Sequence, residues 1–171
     1  MTTQLAPSDV TTAQSVFVKM ALDAWHSHNK RVTDLVENLT DEELQSATAP
    51  GRNTGIYLLG HLTAVNDAMI PMFGFGEKMY PELENVFLRT PDQSGLPMPS
   101  AADLKSKWNA VNAKLNAHIS KMQPEEWFTK HASVSAEDFA KEPHRNKLNV
   151  ILSRTSHQGY HLGQMMYLKK K

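Results

Sequence analysis

Near the end of the chain, in "TSHQGYHLGQMMYL", His157 and His161 stand four residues apart in a stretch almost free of charge. At about 100° per residue their side chains lie about 40° apart around a helix, so both imidazoles project from one face on successive turns. That is metal-ligand spacing. A neutral imidazole in a helix core brings one donor and one acceptor that burial leaves short of partners, so the pair needs either an ion or the carbonyls of neighbouring loops. Two ligands do not close a site, because catalytic zinc-type centres take three protein ligands and leave positions open for water or substrate. His61 is the natural third, since it sits among Leu58, Leu62, Val65, Met69 and Met72 as the polar residue at the centre of an apolar face.

Other side chains share these faces. His28 lies on the apolar stripe of the first helical segment and could stand behind a ligand or touch a substrate. Gln164, close to His157 on the helix surface, could orient a ligand or bound water from outside. Arg154 lies on the face of His157, and its planar fork could receive a substrate carboxylate. His26, His118, His131 and His144 read as surface or loop residues.

Several chemistries are excluded by residue type. The chain has no cysteine, so disulfides, thiolate zinc sites and a cysteine nucleophile are absent. A zincin helix carries Glu as general base between its histidines, whereas here that position is Gln158, which cannot take a proton. Di-iron bundles need Glu-x-x-His pairs, and "EEW" and "EEL" have no histidine three residues on. With 18 Lys and Arg against 18 Asp and Glu, the basic footprint of a nucleic-acid binder is missing. The sequence shows neither a signal-peptide pattern nor an apolar run of roughly 18 residues, so no membrane partner is expected and the location expected is cytoplasmic.

The elements that must position these residues are helical. From Ser8 to Leu39 the positions Phe17, Met20, Ala21, Ala24, Val32, Leu35 and Leu39 recur at three- and four-residue steps, the mark of an amphipathic helix. "TDEEL" then supplies a cap and an acidic first turn, and "APGRNTG" breaks the chain. A second helix is expected from a cap at Asn53 to Met69, with Pro71 as a stop. The stretch from Phe73 to Pro99 reads as a long crossover with little regular structure beyond "PELENVF". The third helix starts at a Ser100 cap and buries Leu104, Trp108, Val111, Leu115, Ile119 and Met122. The fourth spans Lys147 to Leu168 and is apolar on two sides, which predicts a central place in the bundle or a second subunit against it. The expected whole is all-α: one domain over 1–171, a four-helix bundle with long crossover loops.

The phrases "GIYLLGHLTA" around His61 and "SHQGYHLGQ" around His157, His161, Gly163 and Gln164 resemble, in order, those of the DinB/YfiT-like metal-binding helical bundles. The resemblance implies an up-down-down-up bundle that holds a divalent ion, nickel or zinc, on His61, His157 and His161, and that forms homodimers. It also implies a reaction class: transfer of a low-molecular-weight thiol such as bacillithiol or mycothiol to an electrophile, or hydrolysis where no thiol is required. The alternative is a non-catalytic, stress-associated dimeric bundle whose histidines hold the helices together.

Overall fold

The computed structural model describes residues 7–169, with side chains from residue 12 onward. Four long helices form the bundle: α1 (Pro7–Glu37), α3 (Gly55–Asp67), α5 (Ala101–Ile119) and α7 (Lys147–Met165). Between them lie the short helices α2 (Asp41–Gln45), α4 (Met69–Phe73) and α6 (Ala136–Lys141). No strand occurs among the described residues, only the isolated bridges Ala47–Thr54 and Lys130–Asn146.

The contacts fix the directions. Trp108 Nε1 donates to Thr33 Oγ1 at 2.8 Å and Lys105 Nζ to the Leu39 carbonyl at 3.2 Å, so α1 and α5 run antiparallel. Gly55 lies against Leu168 while Asn66 bonds Gln158, so α3 and α7 are also antiparallel. His28 meets Gly159, and Leu35 shares a crevice with Leu162 further along, so α1 and α7 run in the same direction. The order is up-down-down-up, as the resemblance to the DinB/YfiT-like bundles implies.

Local signals account for most boundaries. Thr40 caps α2 in a reciprocal capping box with Glu43, and Ser100 caps α5 by accepting from the Asp103 N–H at 3.1 Å. At α3 the cap is Thr54 and not Asn53, and Asp92 holds it by accepting from both its N–H and its hydroxyl. Pro71 does not stop the chain as expected. It sits in the first turn of α4, where a missing N–H costs nothing, and Gly74 at φ 80° ends that helix. The crossover after Phe73 carries regular structure at "PELENVF", as expected, in the form of a π-helical turn, Asn85–Arg89, that runs two residues beyond it.

Burial corrects two further expectations. Phe17 and Met20, placed in the core by periodicity, are exposed, while Val18, Ala21, Trp25, Val32 and Val36 carry the buried face of α1. The helix enclosed on all sides is α3, in which every residue except His61 is buried, whereas α7 buries one face and leaves Leu152, Tyr160 and Gly163 in solvent. The core divides into two apolar clusters, one containing Leu39, Leu58, Leu62, Phe87 and Leu162, the other Trp25, Met69, Val111, Trp127 and Ile151.

Between these clusters lies a polar layer with one amide from each bundle helix. The Trp108 carbonyl can only accept, so the Asn112 amide nitrogen faces it at 2.8 Å and Asn112 Oδ1 faces Asn66 Nδ2 at 3.0 Å. Asn66 Oδ1 and Asn29 Oδ1 then accept from Gln158 Nε2 at 3.3 and 3.1 Å. One carbonyl thus sets the orientation of four amides in four helices.

Candidate metal centre

His61 projects from the middle of α3, and His157 and His161 from successive turns of α7. Among the described residues these three histidines form a group whose ligand nitrogens lie within 4.8 Å of one another. The Nε2 atoms converge: His157 Nε2 is 3.0 Å from that of His161 and 3.2 Å from that of His61. The rings stand nearly perpendicular to one another, at 72°, 73° and 82°.

The outer edges decide where the protons are. His61 Nδ1 lies 2.8 Å from the Phe87 carbonyl, which can only accept, so Nδ1 carries the proton and Nε2 presents a bare lone pair. His161 Nδ1 lies 2.8 Å from Gln164 Oε1 and is fixed in the same tautomer, again leaving Nε2 as an acceptor. His157 resolves nothing. If its proton is on Nε2, its buried Nδ1 is an orphan acceptor; if on Nδ1, that nitrogen is an orphan donor and three lone pairs face one another.

A proton is a poor remedy for this crowding. Burial, then the neighbouring His161 and His61 imidazoles and Arg154, push His157 down to about 4. His161 is lowered by burial and by His61, with the Gln164 hydrogen bond opposing. With His157 and His161 both held toward the neutral form, the three converging nitrogens make a donor set that fits a divalent metal ion.

The crossover supplies part of this geometry. Phe87 is fully buried, and a Cβ on Gly60 would stand 2.3 Å from its ring, so the glycine beside His61 makes room for the ring whose own carbonyl orients that histidine. Tyr57, one turn earlier, stacks on His61 at 12° and donates its hydroxyl to the Thr90 carbonyl at 2.7 Å. Neither Tyr57 nor the Phe87 carbonyl was predicted from the sequence. The "LLGHL" glycine was the available signal.

The remaining candidates separate. Gln164 lies directly behind His161. Arg154 is half-buried beside His157, with its Nε buried and unpaired among the described residues and its pKa lowered by burial. His28 does not join the group: its Nδ1 donates to the Ala24 carbonyl at 2.9 Å and its Nε2 faces Gly159, about 200° around α7 from His157. Gln158, excluded as a base, is the junction of the amide layer. Of the other histidines, His131 lies in a loop, as expected, and is half-buried there, whereas His118 is on α5 and stacks on Phe75.

The model of the DinB superfamily matches residues 24–165. The chain belongs to the DinB superfamily. Among solved structures it is similar to a conserved protein from Enterococcus faecalis, with a TM-score of 0.60 at 15% identity over 88% of this chain and 93% of that one. At that identity the likeness is one of fold. No curated protein matches the chain. The residues matched by the family model include all three histidines, and no helix among those described is long and apolar enough to cross a membrane.

Proposed function

We propose that this DinB-superfamily protein is a metal-dependent enzyme in which His61, His157 and His161 hold a nickel or zinc ion, and that it transfers a low-molecular-weight thiol to an electrophile. Hydrolysis is the variant that needs no thiol. The observation that carries this reading is the convergence on one point of three Nε2 atoms, two of them made acceptors by their outward hydrogen bonds and the third on a ring that burial and its neighbours hold neutral. When bound, a divalent ion on three neutral imidazoles keeps its full charge and lowers the pKa of a water or thiol. The protein's own part is to hold that donor set in place. Phe87 and Gln164 fix two tautomers and ring orientations, and such outer partners commonly contribute 10–100-fold in metal affinity.

The test uses untagged protein, elemental analysis, and a screen of bacillithiol, mycothiol and glutathione against aryl halide and epoxide electrophiles. Thiol-dependent turnover that a chelator abolishes and zinc or nickel restores is the expected result. Stoichiometric metal with no turnover and no exchangeable water would favour the non-catalytic bundle instead. We further propose a homodimer, supported by Val16, Phe17 and Met20 standing exposed on α1 and Leu152 on α7. Sedimentation at micromolar concentration should give twice the chain mass, and a monomer would remove this part of the reading.

A further inference from the structure

Beside the histidine group, on the outward side of α7, lies a groove of about 530 Å³ lined by Thr48, Ala49, Arg52, Tyr160, Gly163, Gln164 and Tyr167. We infer that it is the anchoring site for the part of a substrate that does not react, and that it takes a small organic anion with a flat, apolar body. This rests on the reading of the three histidines as the reactive centre.

Four observations support it. Arg52, in the loop before α3, makes no ion pair with any described residue, so its five N–H donors are free to take a carboxylate, sulfonate or phosphate in the bidentate manner of arginine. Tyr160 and Tyr167 are 65% and 80% exposed, far more than aromatic rings needed for packing, and offer two amphipathic surfaces, one on α7 and one in the short turn Met166–Leu168 that follows it. Gly163 lies between them in sequence, in the interior of a helix, where glycine costs about 1 kcal/mol against alanine. Packing does not require it, since a Cβ there would meet nothing within 4 Å. It leaves the groove floor open. Gln164 and Tyr160 connect the groove to the histidines: the Gln164 carbonyl oxygen accepts from His161 Nδ1 while its amide N–H groups make no hydrogen bond with the described residues, and the Tyr160 ring lies 5.1 Å from that of His161.

The experiment titrates benzenesulfonate, benzyl alcohol and methanesulfonate into ¹⁵N-labelled full-length protein, metal-free and zinc-loaded, and follows backbone amide shifts. Benzenesulfonate should saturate and move the Gly163 and Gln164 amides, while benzyl alcohol, which lacks the charge, and methanesulfonate, which lacks the ring, bind about tenfold more weakly or worse. Arg52→Ala should bring benzenesulfonate down to the level of benzyl alcohol. Gly163→Met should block both ring compounds, and Gly163→Ala should keep binding and raise the melting temperature. If Gly163→Met does not fold, the Arg52→Ala and Gly163→Ala comparison decides. Benzenesulfonate shifts that lie elsewhere, or that survive Arg52→Ala unchanged, overturn the inference. Binding in the groove by a protein that takes up no metal would leave the groove standing and overturn the metal reading; metal uptake with no groove binding would do the reverse.

Discussion

Two polar clusters lie inside this bundle, both built across α3 and α7 and touching at the consecutive residues His157 and Gln158. The amide layer of Asn29, Asn66, Asn112 and Gln158 chains donor to acceptor from a fixed end, and its unpaired atoms are Asn29 Nδ2, at the far end, and Oε1 of the junction residue Gln158. The imidazoles cannot chain in this way. Each neutral ring has a single proton, two of those protons are committed outward to Phe87 and Gln164, and the three nitrogens at the centre are left with at most the one proton of His157. Polar burial alone therefore does not mark a ligand site; a shortage of protons at a common point does.

The largest expected effect breaks the histidine side of the comparison. His157→Ala removes the nitrogen between the other two and should lower zinc affinity by more than about a hundredfold, beyond the range of outer-sphere changes. His144→Ala, at an exposed position, should leave affinity unchanged. Competition against a chromogenic chelator measures both. On the amide side, Gln158→Leu leaves the Asn29 and Asn66 carbonyl oxygens buried without their donor, which should cost about 2–4 kcal/mol in urea unfolding. Its zinc stoichiometry should stay at one. A Gln158→Leu protein that loses metal as completely as His157→Ala would mean that the two clusters are one.

Outer support should matter less. Gln164→Ala frees the His161 ring to choose its tautomer and should weaken zinc by about tenfold, with the melting temperature of the metal-free protein nearly unchanged. The smallest effect is one of pH. The folded value of His157 lies below the ordinary value of about 6.5, so the metal-free protein keeps this contribution to stability above that pH. It loses the contribution as pH falls from about 6.5 toward about 4, because the unfolded chain takes up the proton first. The urea midpoint of wild type should fall more steeply across that window than that of His157→Gln, which cannot titrate. Metal-loaded protein should fall more steeply still, since protons compete with the ion for the same nitrogens.

How much of this was legible in the sequence follows from the range of the interactions. Helical periodicity and caps are local, so α5 and its Ser100 cap and the four-residue spacing of His157 and His161 could be read directly. The third histidine was legible because a lone imidazole on an apolar face is conspicuous. What stayed hidden depended on contacts between distant segments. Phe17 and Met20 repeat correctly but stand to one side of the face that Val18, Ala21 and Trp25 bury along the same stretch of α1. Thr54 displaces Asn53 as the cap because Asp92, 38 residues on, accepts from it. The Phe87 carbonyl carries no side-chain signature, so its role in orienting His61 appears only once Gly60 has made room for the ring. His28 had the right periodicity and the wrong side of the contact, facing Gly159 and the back of α7.

The most direct test of the metal centre is X-ray absorption on untagged wild-type protein loaded with zinc or nickel and freed of excess ion, with metal content measured on the same sample. One ion per chain, surrounded by three imidazole nitrogens at about 2.0–2.1 Å for zinc, is the expected result. Substoichiometric metal, or an ion in an oxygen-only shell that persists unchanged in His61→Ala, would contradict it.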